Sequence, residues 1–374
     1  MAAILPLTMP KFGLAMTEGM VAAWQKQPGE TIRQGEEIAD IETSKITSAY
    51  ESPVSGKLRR QVLEAGTMAP VGALIGVVAD DAVPDAEIDA FIADFQSRFA
   101  ASQAEAGAEA AGPERVQTAQ GTAQYLAAGP AEAPVILFIH GFGGDLNNWM
   151  FLQPALAENF RTIALDLPGH GGSTKQVPAP DAAGLAGFVL AAMDALGIPA
   201  AHLVGHSMGG AVALAMARAN AERVLSLSLI SPAGLGVEIN RGYIEGFIEA
   251  RRGKHLTPLL QSLFADPTLV GQDMVETVLR YKRLDGVEAA LRAIASAQFP
   301  EGRQAASLRA VLDTPRTPAQ VIWGMRDAII PAAHAENLPA HVKVTLFDAA
   351  GHMAQMERPA DTAERIASLA GGGI

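Results

Sequence analysis

Residues 202–219 read HLVGHSMGGAVALAMARA. A short apolar run leads into Gly205-His206-Ser207-Met208-Gly209-Gly210, and a helical stretch follows. This is a G-x-S-x-G pattern in the strand–turn–helix setting that the pattern requires. Its glycines answer a steric demand, because a turn sharp enough to present a serine crowds the backbone on both sides. The motif alone is weak, since a glycine-rich turn without chemistry would read the same way. Its surroundings decide.

Working outward, the chain from about residue 116 alternates buried runs with helical stretches. The runs are PVILFIH at 134–140, TIALDL at 162–167, HLVGH at 202–206, VLSLSLI at 224–230, AQVIWG at 319–324 and VTLFDA at 344–349. Short, nearly continuous apolar runs of this kind predict a parallel α/β sheet. Residues 236–313 lack a clear strand and read as helices inserted over it. Three features point at the same serine. His140-Gly141-Phe142-Gly143-Gly144 follows a strand, so the N–H of Phe142 and that of Met208 can form an oxyanion hole. Gly324-Met325-Arg326-Asp327 places an acid at a strand end, four residues before Pro331, and Gly351-His352 supplies a base. The order Ser207, Asp327, His352 is nucleophile, acid, base. Residues 117–371, including LDLPGHGGS at 165–173 and Asn148-Trp149, resemble the α/β-hydrolases. Asp313 and Asp348 are rival acids outside the frame that holds Asp327. His170 and His206 are expected to shape the site, His202 lies at a strand start, and His334 and His341 are expected at the surface. No metal site is expected, because no histidine pair has ligand spacing with a nearby carboxylate.

Residues 1–80 have a different texture, with short runs broken by Gly13, Gly19, Gly29, Gly35, Gly56, Gly66 and Gly72, as in a small all-β barrel or sandwich. Lys45 lies between DIETS and ITSAY, where a tight hairpin would hold it in solvent. On the turn alone the plainer reading is a solvated hairpin charge. Residues 4–79 as a whole resemble a lipoyl domain, a flattened barrel of two small sheets. That resemblance implies lipoic acid in amide linkage on Lys45, within Glu42-Thr43-Ser44-Lys45, although Ser44 stands where the family more often has Asp. Ser44 and Ile46 replace the methionines that flank the lysine of biotin domains, so biotin is disfavoured. Residues 81–115 form a third segment. Pro84 and Asp85 open a helix whose Ile88, Phe91, Ile92, Phe95 and Phe99 share one face. That face is expected to pack on a neighbouring domain or to dock a partner enzyme. ASQAEAGAEAAGPE at 101–114 then reads as a flexible linker.

Composition limits the functions available. The 374 residues carry 28 Lys plus Arg and 40 Asp plus Glu, a net charge of −12 that disfavours nucleic acid and anionic membranes as partners. With no cysteine, disulfides, thiolate metal sites and a cysteine nucleophile are absent, which fits the cytoplasm. The N-terminus shows no signal-peptide pattern, and Asp194 and Pro199 break the most apolar stretch, from Ala183 to Gly205.

A multidomain chain with a lipoyl arm and a serine triad resembles the dihydrolipoamide acetyltransferase components of acetoin dehydrogenase complexes. The resemblance implies a thiamine-diphosphate-dependent acetoin dehydrogenase that acetylates the lipoyl group, coenzyme A as acceptor, and a flavin-dependent dihydrolipoamide dehydrogenase that reoxidises the arm. No histidine is followed by the H-x-x-x-D-G pattern of pyruvate-type acyltransferases. Two other readings stand beside this one: a lipoyl-bearing serine esterase or thioesterase, and a carrier with a catalytically silent hydrolase-fold scaffold. In the inserted helices Arg241, Arg251, Arg252, Lys254 and Arg283 form either a solvated face or a phosphate contact for coenzyme A.

Overall fold

The computed structural model describes residues 4–10, 18–43, 47–109 and 112–372, with the backbone alone for 101–109. It divides into two units, Met1–Ala110 and Ala111–Ile374.

In the first unit, turns every few residues let short strands fold back on one another. β1 (Leu5–Thr8), β2 (Glu18–Trp24), β3 (Thr31–Ile32), β4 (Glu37–Glu42), β5 (Thr47–Glu51), β6 (Gly56–Gln61), β7 (Thr67–Pro70) and β8 (Leu74–Val78) pair antiparallel into two four-stranded sheets. Their orders are β1-β8-β6-β3 and β5-β4-β2-β7. Leu7, Val21, Ile32, Ile38, Ile41, Leu58 and Ile75 fill the core between them. Glu42 pairs with Thr47, so residues 43–46 connect two paired strand ends. Lys45 itself lies outside the described residues.

α1 (Asp85–Glu109) closes this unit. Arg59 and Arg60 of β6 reach Asp85 at 2.8 Å and 3.2 Å and fix its first turn. Its apolar face packs at home: Ile88, with Phe91, Ile92 and Phe95 beside it, covers Leu74 and Val77 of β8, and Phe99 meets the inter-sheet core. The stripe thus packs on the neighbouring β domain of residues 1–80, the first of the two expectations. The linker expectation is corrected, for the helix runs through residues 101–109. Ala, Gln and Glu suit a helix as well as a linker, so composition could not separate the two.

In the second unit β9 (Glu114–Thr118), β10 (Gly121–Ala128), β11 (Val135–Ile139), β12 (Arg161–Leu165), β13 (Ala201–His206), β14 (Val224–Ile230), β15 (Ala319–Gly324) and β16 (Lys343–Phe347) make one sheet, ordered β16-β15-β14-β13-β11-β12-β10-β9. β11 to β16 are parallel, as the apolar runs predict, and the β9–β10 hairpin adds an antiparallel edge. That hairpin was not foreseen, because an edge exposed on one face carries few apolar residues. Strand alternation feeds two cores. Leu137 and Ile139 face one that includes α3 (Ala182–Ala195) and α4 (Met208–Ala219), while Ile136 and Phe138 face another that includes Leu156 of α2 (Gln153–Ala157) and Ile366 of α10 (Pro359–Ala370). The inserted region folds as α5 (Arg241–Glu249), α6 (Gly253–Gln261), α7 (Gln272–Lys282) and α8 (Val287–Gln298). No described helix is long and apolar enough to cross a membrane.

Candidate active site

Ser207 occupies the turn between β13 and α4 with φ 53° and ψ −119°. A non-glycine residue held there stores strain, and the fold pays for it because the turn is locked from both sides. A Cβ on Gly209 would collide with the Ile139 carbonyl oxygen, and one on Gly205 with the backbone of Gly209. Those two glycines therefore allow the close crossing of β11, β13 and α4 that presents the serine.

Asp327 follows β15, and its side chain is fully buried. Oδ2 lies 2.8 Å from His352 Nδ1 and accepts from Trp323 Nε1 at 2.9 Å, while Oδ1 accepts from Ile329 N and Ile330 N at 2.8 Å and 3.0 Å. Burial pushes its pKa up, but His352 and these donors outweigh burial and hold it below the usual carboxylate value. An ionised Asp327 fixes the imidazole with Nδ1 protonated and Nε2 open to take a proton. Asp313 and Asp348 are exposed.

His352 is fixed through its backbone as well. His352 N donates to Leu263 O at 2.8 Å, and the Glu357 carboxylate of α9 (Ala354–Glu357) accepts from Gly351 N at 2.6 Å and Ala265 N at 2.7 Å. The helical insertion thus grips the loop that carries the base, a role for Leu263 and Glu357 that sequence gave no sign of. His206 Nε2 donates to His352 O at 2.9 Å, and the two rings lie 4.7 Å apart. Burial pushes His206 down to about 3, so it stays neutral.

The oxyanion loop is similarly built. His140 Nε2 accepts from Leu167 N at 2.9 Å, and His170 Nε2 accepts from Gly143 N at 3.1 Å. Burial lowers both pKa values. Asp145 and Asn148 form a reciprocal cap, and Asp166 accepts from Leu146 N at 2.8 Å, tying the loop to the 165–173 turn. Trp149 stacks on Phe138 at 4.9 Å. These contacts explain both pairs of loop residues as architecture. His334 departs from expectation: it is buried, with Nε2 2.7 Å from Glu238. His341 is exposed, as expected.

Ser207 and His352 line a single cavity of about 500 Å³ with Phe142 and Gly143. The insertion supplies its apolar wall through Tyr243, Phe247, Leu260, Met274, Val278 and Phe299. Ser207 Oγ and His352 are not hydrogen-bonded, and such bonds often tighten only when substrate is present. The site can attack an acyl carbonyl from within a largely apolar cavity. Among the described residues no cluster of three or more metal-ligating side chains forms.

Residues 134–359 match the family model described as alpha/beta hydrolase fold, and residues 6–78 match the one described as Biotin-requiring enzyme. A meta-cleavage product hydrolase from Pseudomonas fluorescens has the same fold, with a TM-score of 0.63, 23% identity, and 70% of this chain and 98% of that one covered. A protein of Pseudomonas putida, the dihydrolipoyllysine-residue acetyltransferase component of its acetoin cleaving system, is 48% identical over 96% of both chains. Its counterpart in Cupriavidus necator is 45% identical over 96% of this chain and 95% of its own. The chain belongs to the family of dihydrolipoyllysine-residue acetyltransferase components of acetoin cleaving systems.

Proposed function

We propose that this chain moves an acetyl group from a lipoyl thiol to coenzyme A within an acetoin-cleaving multienzyme complex. The observation that carries the reading is identity of 48% over 96% of both chains to a protein of that name, spanning carrier and hydrolase-type regions together. In this reading residues 1–80 are the carrier, 81–115 join it to the transferase, and 116–374 hold the chemistry, with a cap at about 236–313.

Lys45 takes the lipoyl group, and the β4–β5 pairing that ends at Glu42 and Thr47 suits a lysine displayed between strand ends. Once attached, the group supplies a mobile dithiol that holds an acyl group as a thioester. His352 Nε2 removes the Ser207 proton, and Oγ attacks the thioester carbonyl. The N–H groups of Phe142 and Met208 receive the oxyanion. The next two amides of that loop are already engaged, Gly143 with His170 and Gly144 with Gly141 O. The carbon–sulfur bond breaks, the departing thiolate takes the proton from His352, and acetyl-Ser207 remains. Coenzyme A then gives its thiol proton to His352, its sulfur attacks the ester, and Ser207 recovers its proton. Asp327 stabilises the imidazolium in both halves.

A thiamine-diphosphate-dependent acetoin dehydrogenase supplies the acetyl group, and a flavin-dependent dihydrolipoamide dehydrogenase restores the disulfide, all in the cytoplasm. The hydrolase-like fold favours one rival, the esterase or thioesterase. Acetyl-dihydrolipoamide offered with and without coenzyme A separates them. Acetyl-coenzyme A should form much faster than acetate. Acetate released as fast with no coenzyme A present would establish the hydrolase instead.

A further inference from the structure

A second cleft, of about 710 Å³, opens in the cap, where α5 and α7 end and α8 begins. Arg251, Lys282, Arg283 and Arg292 line it against Asp285 and Glu288. Four cations meet two carboxylates there, in a chain whose net charge is −12. The sequence-level choice between a solvated face and a phosphate contact is thereby narrowed to particular residues. Arg241 pairs with Glu245 at 2.7 Å, and Arg252 and Lys254 do not line the cleft.

We propose that this cleft binds the phosphorylated nucleotide end of the acceptor thiol, an inference that rests on the acceptor assigned above. Glu288 accepts from Arg251 at 2.5 Å and from Arg292 at 3.0 Å, which orients two guanidinium forks side by side. Each guanidinium carries five N–H donors, so both keep donors for phosphate oxygens. Arg283 adds a third exposed guanidinium on the same wall. Gly286, also in the lining, is the N-cap of the twelve-residue α8 and brings no side-chain acceptor. The dipole of that helix end adds to the attraction for an anion. Lys282 has a different task. Its ammonium donates to Phe247 O and to Ala250 O, the latter at 2.6 Å, and so closes the end of α5.

Phe247 is the residue that stands between the cleft and the serine cavity. Lys282 Nζ lies 4.8 Å from the centre of the Phe247 ring, and that ring lines the catalytic cavity 5.9 Å from the ring of Phe142. A pantetheine arm has about thirteen bonds between sulfur and phosphorus. At the roughly 1.2 Å per bond of an extended backbone it spans about 15 Å. An arm of that length exceeds the 4.8 Å and 5.9 Å steps that Phe247 makes to Lys282 and to Phe142.

The test uses the full-length lipoylated protein with coenzyme A, dephospho-coenzyme A and pantetheine as acceptors. Charge-assisted contacts to phosphate should make KM for coenzyme A about 10–100-fold lower than for pantetheine. Arg283→Glu, and separately Arg251→Ala with Arg292→Ala, should shrink that ratio by about tenfold or more, and Arg283→Lys, which keeps the charge but loses the fork, should shrink it less than Arg283→Glu. Equal KM values in the native protein, or a ratio indifferent to these variants, would overturn the proposal. Calorimetry with adenosine 3′,5′-bisphosphate keeps it separate from the transferase reading. Binding lost in Arg283→Glu supports the cleft even if the protein proves to release acetate. No binding at millimolar concentration rejects the cleft even if acetyl transfer to coenzyme A is intact.

Discussion

The two units of this chain solve opposite problems. In residues 1–110 the proposed carrier site falls on the connection between β4 and β5, whose ends pair at Glu42 and Thr47. In residues 111–374 the proposed reactive groups follow separate strands, Ser207 after β13, Asp327 after β15 and His352 after β16, and Asp327 Oδ2 lies 2.8 Å from His352 Nδ1. Strand β5 alternates between exposed and buried positions, whereas β13 is buried almost throughout. A carrier thus depends on display and a catalyst on enclosure. The same kind of substitution should therefore fail differently in each unit.

The largest contrast comes from the carrier. Lys45→Arg keeps the charge but cannot form the amide, so acetyl-coenzyme A production by the assembled complex should vanish. Transfer from free acetyl-dihydrolipoamide should persist, since the triad is untouched. Loss of both activities would show that Lys45 serves the second unit directly.

Asp327→Asn probes enclosure. It keeps the size of the side chain but presents an amide to His352 Nδ1 and favours the wrong tautomer. Turnover with free donor should fall by about 10⁴-fold. A fall under tenfold would mean that His352 is oriented by its backbone bonds to Leu263 and through Gly351 to Glu357 alone.

Acid should separate the units next. Residues 1–110 contain no histidine. The second unit buries His140, His170 and His206 as neutral rings, with His206 down to about 3 from an ordinary 6.5. Between those two values the unfolded chain binds a proton that the folded chain refuses. Stability is therefore lost as pH falls below 6.5, by up to about 1.4 kcal/mol per pH unit for His206 and in the same direction for His140 and His170. Asp327, lowered in the folded state, adds a loss of the same sign at more acidic pH. In the first unit, Asp81 and Asp85 are lowered by hydrogen bonds to Lys57 and Arg59, so its acid loss waits for the carboxylate range. Hydrogen exchange read by mass spectrometry at stepped pH should show residues 134–366 opening before residues 18–78. Simultaneous opening would contradict the contrast.

How much of this was readable beforehand follows the same division. The triad was legible because each member sits at the end of an apolar run, in a fixed order with glycines beside it. The carrier domain was legible through resemblance over its whole length, matched at residues 6–78, whereas the turn around Lys45 alone reads as a solvated charge. Contacts made by the cap were not legible. Nothing in the residues around Leu263 or Glu357 announces that they hold the His352 loop, because such pairs meet only after the insertion folds. The buried His334 was misplaced for the same reason, since its partner Glu238 lies 96 positions away. Helix α1 runs further than the reading of 101–114 as a linker, because Ala, Gln and Glu suit either state.

The central claim is that acetyl groups pause on Ser207 between the two thiols. Intact-mass analysis of the native protein after exposure to acetyl-dihydrolipoamide, with the adduct mapped by digestion, tests it most directly. The account predicts one added acetyl group on the peptide containing Ser207, cleared on adding coenzyme A as acetyl-coenzyme A appears. Ser207→Ala should show no such adduct, and its rate of transfer should fall by about 10³-fold or more. Native-rate transfer by Ser207→Ala, with no adduct on the native protein, would contradict the account and leave direct thiol-to-thiol exchange in its place.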